Sequence, residues 1–287
     1  MKGLELEARP FYAARLDRRG QPRPWDLGEL EDFAAATGDP FGGRLLADHP
    51  VPPLSLQLEA CDEPPVWVGL EPRALEAWVR PLERSWRRYG LAPGEAVALF
   101  DYGSSPLVLL AAAGYAPYLR RGAADRLGAR AICNDGVASL VARMVSIFER
   151  VKPAALVARR DVLAPLAEAI DVSGVELAEF CRWVMVSEPD GVPPARDVTR
   201  VAKEWGVPVR RILRADAAFL LAAECERCDA FHVDARSYRV ESLDAAAVAV
   251  TTRFGRTCPA VRHRLDGFAL LPDSCDAEPD ASRLRCV

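Results

Sequence analysis

The sequence of 287 residues contains only three lysines, Lys2, Lys152 and Lys203, so any chemistry that needs a lysine ammonium has three candidates. It has no basic stripe with interleaved aromatic residues, and its formal net charge is −4, which argues against nucleic acid as a partner. It also lacks an apolar leader, because the opening MKGLELEARP is charged. We therefore expect a cytoplasmic protein and no secretory signal.

No uncharged stretch has the composition of a membrane span. The longest, residues 102–119, contains two prolines, two glycines and two serines. This composition argues against a membrane span and favours a buried soluble helix entered through a turn. We therefore expect no contact with a membrane. The eight cysteines do not predict a disulfide framework in a cytoplasmic chain of this length.

Short apolar runs alternate with helical patterns through the middle of the chain. Half of the residues are hydrophobic, which is enough for a sizeable core. The predicted strands are residues 96–100, 129–133, 154–158, 182–186 and 207–213. The predicted helices are residues 106–127, 137–150, 162–170 and 195–205. This alternation predicts an α/β fold with a parallel sheet flanked by helices.

Three segments are predicted along the chain. Residues 1–70 are an irregular segment packed on the core, residues 71–213 are a doubly wound α/β core, and residues 214–287 are an antiparallel β subdomain. In the first segment a short helix should begin at Asp26, which can cap it. A long helix should start near Glu71, kink or divide at Pro81, and end at Gly90.

The stretch AECERCDAFHV places two cysteines and a histidine within eight positions. Thiolates and an imidazole at the spacing of Cys225, Cys228 and His232 can converge on a structural zinc. A closed site needs a fourth ligand, for which Cys275 is the first choice. The alternatives are Cys258 and Cys286. The other interpretation is that both thiols are buried small apolar groups and the histidine bonds a backbone carbonyl.

The segment DYGSSP follows a predicted strand and opens a predicted helix. Ser104 and Ser105 can offer hydroxyls and N–H groups to an anion, so they are candidate ligand contacts. Their ordinary role is helix capping. Cys133 and Cys181 are better explained as buried thiols at strand ends than as nucleophiles. No Ser-His-Asp or Cys-His set can be assembled from the sequence.

Residues 224–275 keep the order ECE…H…E…TT…P…R-R…D…LLP…C, which resembles the phenylacetate-CoA ligase family. The segments PGEAVALFDYG…GAADRLGARAIC…KPAALVAR and FYAARL…DLGELEDFAAATGDPFGGRLLADHP resemble it as well. The resemblance covers roughly residues 10–275. It implies the fold of the large domain of an adenylate-forming enzyme. Enzymes of this family join aryl carboxylates to CoA using ATP. Because relatives commonly form dimers, the resemblance also implies a possible homodimer.

The resemblance also implies particular site residues. In several family members a zinc is held by the cysteine of the ECE piece, the following histidine and a Cys-x-Cys pair after LLP. These positions fall on Cys225, His232, Cys275 and Ala277, so we expect Cys228 to replace the missing thiolate. The retained Arg262, Arg264 and Asp266 match a piece whose aspartate holds the ribose hydroxyls. Ser104 and Ser105 match a region that lines the acyl pocket.

Three parts of the family's ATP machinery do not match. From Gln57 to Glu83 there is no serine, threonine or lysine and one glycine, and the acidic pair Asp62 and Glu63 would repel phosphate. The Tyr-Gly-x-Ser/Thr-Glu segment becomes LRADA, residues 213–217, in which only Asp216 could serve. The lid with its catalytic lysine has no counterpart, since no lysine follows Lys203.

We therefore expect a truncated, diverged homologue without ATP-dependent adenylation. It would be a ligand-binding or accessory module that recognises an aryl or acyl carboxylate, its CoA thioester or a partner protein. One alternative is a carboxylate-CoA ligase, or an enzyme that binds ATP or AMP, whose lid comes from a partner chain. Another is an enzyme that reuses the pocket for acyl transfer.

Overall fold

The computed structural model describes residues 5–46, 52–61 and 65–287, and the chain forms two compact units. One unit contains Met1–Ala77, Ala215–Leu220 and Arg227–Val287, and the other contains Trp78–Arg214 and Leu221–Glu226. None of the described helices is both long enough and apolar enough to cross a bilayer.

The described residues contain α-helices and β-strands with the following bounds. The helices are α1 Pro10–Ala13, α2 Leu27–Thr37, α3 Pro72–Arg88, α4 Pro106–Leu109, α5 Ala123–Leu127, α6 Val141–Val151, α7 Leu163–Ser173 and α8 Ala195–Trp205. The strands are β1 Leu54–Gln57, β2 Trp67–Leu70, β3 Ala96–Phe100, β4 Arg130–Asn134, β5 Ala155–Arg159, β6 Trp183–Ser187, β7 Val209–Ala215, β8 Leu220–Ala223, β9 Phe231–Asp234, β10 Tyr238–Ser242, β11 Ala247–Thr252, β12 His263–Asp266, β13 Phe268–Leu271 and β14 Ala281–Cys286.

A six-stranded sheet forms the centre of the second unit, in the order β4-β3-β5-β6-β7-β8. Strand β3 pairs in parallel with β4 and β5, and β6 pairs in parallel with β5 and β7. All residues of β3 and β6 are buried, so both faces of the sheet are covered. The predicted α/β fold is confirmed, and each predicted strand lies within two residues of an observed one.

Helices α6, α7 and α8 pack on one face of this sheet in a continuous apolar cluster. Each helix places a fully buried side chain there, Phe148, Leu166 and Val201, against Leu156 of β5 and Val184 of β6. Burial of each such side chain stabilises the fold by roughly 1.5–3 kcal/mol. This packing holds the carboxyl ends of the strands in a fixed arrangement.

The helix predicted for residues 106–127 is wrong, because α4 and α5 are separate short helices. The backbone returns on itself between them: Ala123 N–H donates to Leu110 O at 2.8 Å. A Cβ at Gly122 would lie 2.3 Å from the backbone of Ala112, so this close approach requires glycine. The glycines and prolines of the segment favour this turn over a continuous helix.

The helix predicted from Glu71 is α3, and Pro81 does not divide it. Its apolar side chains at helical spacing are buried, namely Leu75, Trp78, Val79, Leu82 and Trp86. Asp26 caps α2 as predicted. Its side chain accepts from Glu29 N–H, and the Glu29 side chain accepts from Asp26 N–H, which completes a capping box worth about 1 kcal/mol.

Two three-stranded antiparallel sheets follow the parallel sheet in the chain. Their orders are β10-β11-β12 and β13-β14-β9. Strand β9 therefore pairs with β14 and not with its sequence neighbour β10. In this pairing Asp234 lies opposite Ala281, which is forty-seven residues further along the chain. This pairing brings the turn after β13 close to the turn before β9.

Candidate functional site

Four side chains that could bind a metal converge beside β9. Cys225 and Cys228 lie in the turn between β8 and β9, His232 lies on β9, and Cys275 lies in the turn after β13. Their ligand atoms all lie within 4.8 Å of one another. The structure therefore brings together the four residues singled out in the sequence, and the cluster contains Cys228 rather than Cys258 or Cys286.

The orientation of the histidine suits a metal ligand. The Nε2 atom of His232 lies 3.3 Å from Cys228 Sγ, while its Nδ1 atom lies 2.8 Å from Glu278 Oε2. A carboxylate on one ring nitrogen fixes the tautomer that leaves the other nitrogen available for a metal. Glu278 is joined to Cys275 by a turn, in which Glu278 N–H donates to Cys275 O at 3.0 Å. Nothing in the sequence indicated a role for Glu278.

The donor set fits zinc. Three thiolates and one imidazole are typical ligands of structural zinc, and a tetrahedral site with bonds of about 2.0–2.3 Å separates neighbouring ligand atoms by about 3.3–3.8 Å. The Cys228–His232 separation of 3.3 Å agrees with that geometry. Cys225, His232 and Cys275 are buried, so water is largely excluded.

A second group of polar side chains lies where the parallel strands end. Asp101 follows β3, Arg159 ends β5 and Arg214 lies near the end of β7. Asp101 and Arg214 are fully buried, with Arg214 Nη1 3.6 Å from Asp101 Oδ2, and Arg159 Nη1 lies 3.8 Å from Asp101 Oδ1. The Arg159 guanidinium also stacks on Tyr102, 4.0 Å from the ring centre. The carboxyl edge of the sheet is therefore rich in charge.

A cavity of about 300 Å³ opens at this edge, beyond β5 and β6, and we call it the strand-end cavity. Its lining residues are Arg159, Arg160, Asp161, Ser187, Glu188 and Pro189. Ser187 is fully buried, and its hydroxyl has no hydrogen-bond partner among the described residues. Open parallel sheets bind ligands at the carboxyl ends of their strands, so this cavity lies where a ligand is expected.

A larger groove of about 590 Å³ lies at the carboxyl-terminal ends of helices α7 and α8. It is lined by the last turns of α7 and α8, including Asp171, Glu204 and Trp205. These turns lead toward the amino ends of β6 and β7, which is the edge opposite to the usual ligand site of a parallel sheet. Volume alone therefore does not identify the ligand site.

The two serines predicted as ligand contacts differ in their surroundings. Ser105 is fully buried and caps α4, because its Oγ accepts from Val108 N–H at 3.3 Å. Ser104 is exposed. The capping role, which was the ordinary interpretation, accounts for the Ser105 hydroxyl, and α4 has only four residues.

The two residues predicted to contact a ribose form an ion pair on β12. Arg264 Nη2 lies 2.8 Å from Asp266 Oδ1, and the two side chains are 39% and 61% exposed. At that exposure the pair contributes about 0–1 kcal/mol to stability. The neighbouring Arg262 donates instead to Glu241 and to Pro22 O.

The segment that would have to hold a triphosphate is an antiparallel hairpin of β1 and β2. Leu54 pairs with Leu70 and Gln57 with Trp67, and Leu58 N–H extends the ladder to Val66 O at 2.8 Å. Asp62 and Glu63 lie outside the described residues. In the described part the Leu58 N–H is used in this pairing rather than turned toward an anion.

The LRADA segment contains the last residues of β7, including Arg214, and begins a turn at Asp216. Asp216 is buried, and its carbonyl accepts from Phe219 N–H at 3.0 Å. The fully buried Arg44 donates to Ala217 O at 2.8 Å. This stretch therefore places a guanidinium, paired with Asp101, where the resembled family has an aromatic residue, a glycine and a metal-binding carboxylate.

The two candidate nucleophiles are poorly reactive thiols. Burial raises the pKa of Cys133 to about 11 and that of Cys181 to about 12. Both are therefore protonated at neutral pH, whereas a nucleophilic cysteine acts as its thiolate.

Because His263 is buried, we expect the stability of the folded chain to depend on pH. It is fully buried on β12 against Trp25, with ring centres 4.6 Å apart, and its Nδ1 has no hydrogen-bond partner among the described residues. Burial, with a contribution from the charge of Arg44, lowers its pKa to about 3. The unfolded chain then binds more protons between about pH 3 and pH 6.5, so stability is full above that range and falls as the pH falls.

From pH 7 to pH 5 the free energy of unfolding should therefore fall by roughly 2 kcal/mol through His263. Urea denaturation at both pH values measures the fall, with His263→Phe as the comparison because it removes the titrating group and keeps a ring beside Trp25. We expect the variant to lose about 2 kcal/mol less than the unaltered protein over this range. Equal losses would contradict a buried neutral His263.

Comparisons with known proteins support the fold. No protein-family model matches the chain, and no curated protein matches it significantly. Among solved structures, the chain is similar to a 2-hydroxyisobutyryl-CoA ligase in complex with 2-HIB-AMP and CoA, with a TM-score of 0.75 and 18% identity. The match covers 99% of this chain and 70% of that one.

In its postadenylation state with R3-HIB-AMP, the same ligase gives a TM-score of 0.77 at 18% identity, covering 99% of this chain and 64% of that chain. A malonyl-CoA ligase with methylmalonyl-CoA and AMP bound gives 0.52 at 15% identity, covering 82% of this chain and 52% of that chain. Against these two structures, this chain therefore spans less than two thirds of the ligase's length. Identities this low establish architecture alone, and this chain has the fold of the adenylate-forming CoA ligases.

Proposed function

We propose that this chain is a diverged aryl- or acyl-CoA ligase-like protein that has lost ATP-dependent adenylation. It works as a ligand-binding or accessory module, that is, a pseudoenzyme. The observation that carries the proposal is the segment from Gln57 to Glu83, which has no serine, threonine or lysine. Without side-chain hydroxyls or an ammonium, a triphosphate gains little compensation for leaving water.

The end of β7 supports the same proposal. A fully buried arginine, Arg214, stands in the segment that carries the magnesium-binding carboxylate in the resembled family, and its charge is paired with Asp101. The position of that carboxylate is taken by Ala217, whose side chain offers a divalent cation no ligand. Each lost contact removes stabilisation that the adenylation transition state requires.

Direct binding measurements test this proposal. Calorimetric titration with Mg·ATP, AMP, CoA, and a series of aryl and acyl carboxylates and their CoA thioesters is expected to show no binding of Mg·ATP and binding of at least one carboxylate or thioester. Asp266→Ala should leave each affinity unchanged, because the proposal gives this residue no ribose to hold. Tight binding of Mg·ATP or AMP that is lost in Asp266→Ala would contradict the proposal.

A second candidate function is a carboxylate-CoA ligase, or an adenylate-binding enzyme, whose lid comes from a partner chain. The retained Arg264 and Asp266 favour it, since Asp266 lies exposed on β12 and could accept two ribose hydroxyls. Under this alternative AMP would bind weakly to the isolated chain, and its binding would depend on Asp266. The same titration therefore separates the two functions.

We also propose that Cys225, Cys228, His232 and Cys275 hold a structural zinc. The support is the convergence of their ligand atoms and the Glu278 carboxylate on the far side of the imidazole. The pairing of β9 with β14 brings the β8–β9 turn close to the turn after β13, and a bound zinc would join these two turns directly. Metal analysis of purified protein is expected to give about one zinc per chain.

A further inference from the structure

We propose that the strand-end cavity binds a small zwitterion of the α-amino acid class. The inference rests on the proposed ligand-binding function and names the ligand class. A cavity of about 300 Å³ is at the lower limit for ligand pockets, so a small molecule is favoured over a CoA thioester.

A cation and an anion with unused hydrogen-bonding atoms line the same space. Arg160 donates from Nε to Asp197 at 2.8 Å and from Nη1 to Glu188 Oε1 at 2.9 Å. No described residue bonds the Arg160 Nη2 or the Glu188 Oε2 atom. Together with the unpartnered Ser187 hydroxyl, this gives one cationic donor, one anionic acceptor and one neutral group.

The balance of charge selects the ligand. Two arginines and two carboxylates line the cavity, so its formal charge sums to zero. A lone carboxylate would approach Arg160 but also Glu188 and Asp161, which repel it. A zwitterion can place its carboxylate on Arg160 and its ammonium on Glu188, so that both new contacts are charge-assisted.

An aryl carboxylate is disfavoured for a second reason. Its ring would have to cover Arg160, Glu188 or Asp161, and it would strip water from charged groups without replacing the lost hydrogen bonds. The cavity contains no aromatic lining residue and only one apolar one, Pro189, among the described residues. The aryl ligand expected from the family resemblance therefore fits this cavity poorly.

Titration of the full chain with the common α-amino acids tests the proposal. The best-binding amino acid is then compared with two matched analogues, one that lacks the ammonium and one that lacks the carboxylate; for alanine these are propionate and ethylamine. Both analogues are expected to bind at least tenfold more weakly. Glu188→Gln should weaken binding of the amino acid at least tenfold, and Ser187→Ala about threefold.

Glu204→Gln is the matched control, because Glu204 is an exposed residue of α8 outside the cavity. This variant should bind the amino acid as tightly as the unaltered protein. Melting temperatures of all variants exclude unfolding as the cause of weaker binding. If the carboxylate analogue binds as tightly as the amino acid, or Glu188→Gln binds as tightly as the unaltered protein, the inference is overturned. If aryl acids or acyl-CoAs bind but no amino acid does, the inference fails alone; if nothing binds, the proposed ligand-binding function fails as well.

Discussion

Replacing Cys228 with serine is expected to release the proposed zinc and to destabilise the fold by roughly 3 kcal/mol or more, which corresponds to roughly 6–12 °C in melting temperature. Three ligands remain, but a serine hydroxyl is a poor zinc ligand at neutral pH. The turn between β8 and β9 then loses its connection to the turn after β13. Metal analysis and thermal unfolding measure the two effects on the same sample.

Two further variants test whether the effects of Cys228→Ser arise from loss of the proposed zinc or would follow the replacement of any cysteine. Cys286→Ser changes an exposed thiol outside the cluster, so zinc content and melting temperature should stay unchanged. Glu278→Gln keeps all four ligands but weakens the hydrogen bond to His232 Nδ1, so zinc affinity should fall about 10–100-fold. Full zinc content in Cys228→Ser, with its stability intact, would remove Cys228 from the site.

The second large effect is expected for Asp101→Ala, which should destabilise the fold by roughly 3–5 kcal/mol. Asp101 is fully buried between Arg159 and the fully buried Arg214. Removing its carboxylate takes a buried counter-charge away from Arg214, and this cost exceeds the net value of the pair itself. Chemical denaturation measures the loss.

The exposed pair on β12 provides the control for Asp101. Asp266→Ala removes a carboxylate from a shorter contact, 2.8 Å against 3.6 and 3.8 Å, but its side chain is 61% exposed, so the loss of stability should be much smaller. In the Asp101→Ala background, Arg214→Met should restore part of the loss, because it removes the stranded charge. Equal losses in Asp101→Ala and Asp266→Ala would contradict the role of burial.

The parallel sheet could be predicted because its strands β3 and β6 are fully buried, largely apolar runs that carry their own signal. The break between α4 and α5 was missed although the glycines and prolines of the segment signal a turn, and the close approach of Gly122 to Ala112 is visible only in the structure. The pairing of β9 with β14 is equally invisible in the sequence, because it joins residues far apart in the chain.

The metal cluster could be predicted in part. The spacing of Cys225, Cys228 and His232 indicates a site by itself, and the family resemblance favoured Cys275. Glu278 could not be found, because a single glutamate in a polar turn has no sequence signature. The strand-end cavity was missed for a similar reason: Arg160 and Glu188 follow different strands, and only the sheet brings them together.

ATP–pyrophosphate exchange is the most direct test of the claim that this chain no longer adenylates carboxylates. The full chain, loaded with zinc, is assayed over a panel of aryl acids, acyl acids and amino acids, with a working CoA ligase as the positive control. We predict no exchange above the enzyme-free background for any acid. Exchange that depends on one of these acids, and that disappears in Asp266→Ala, would contradict the account.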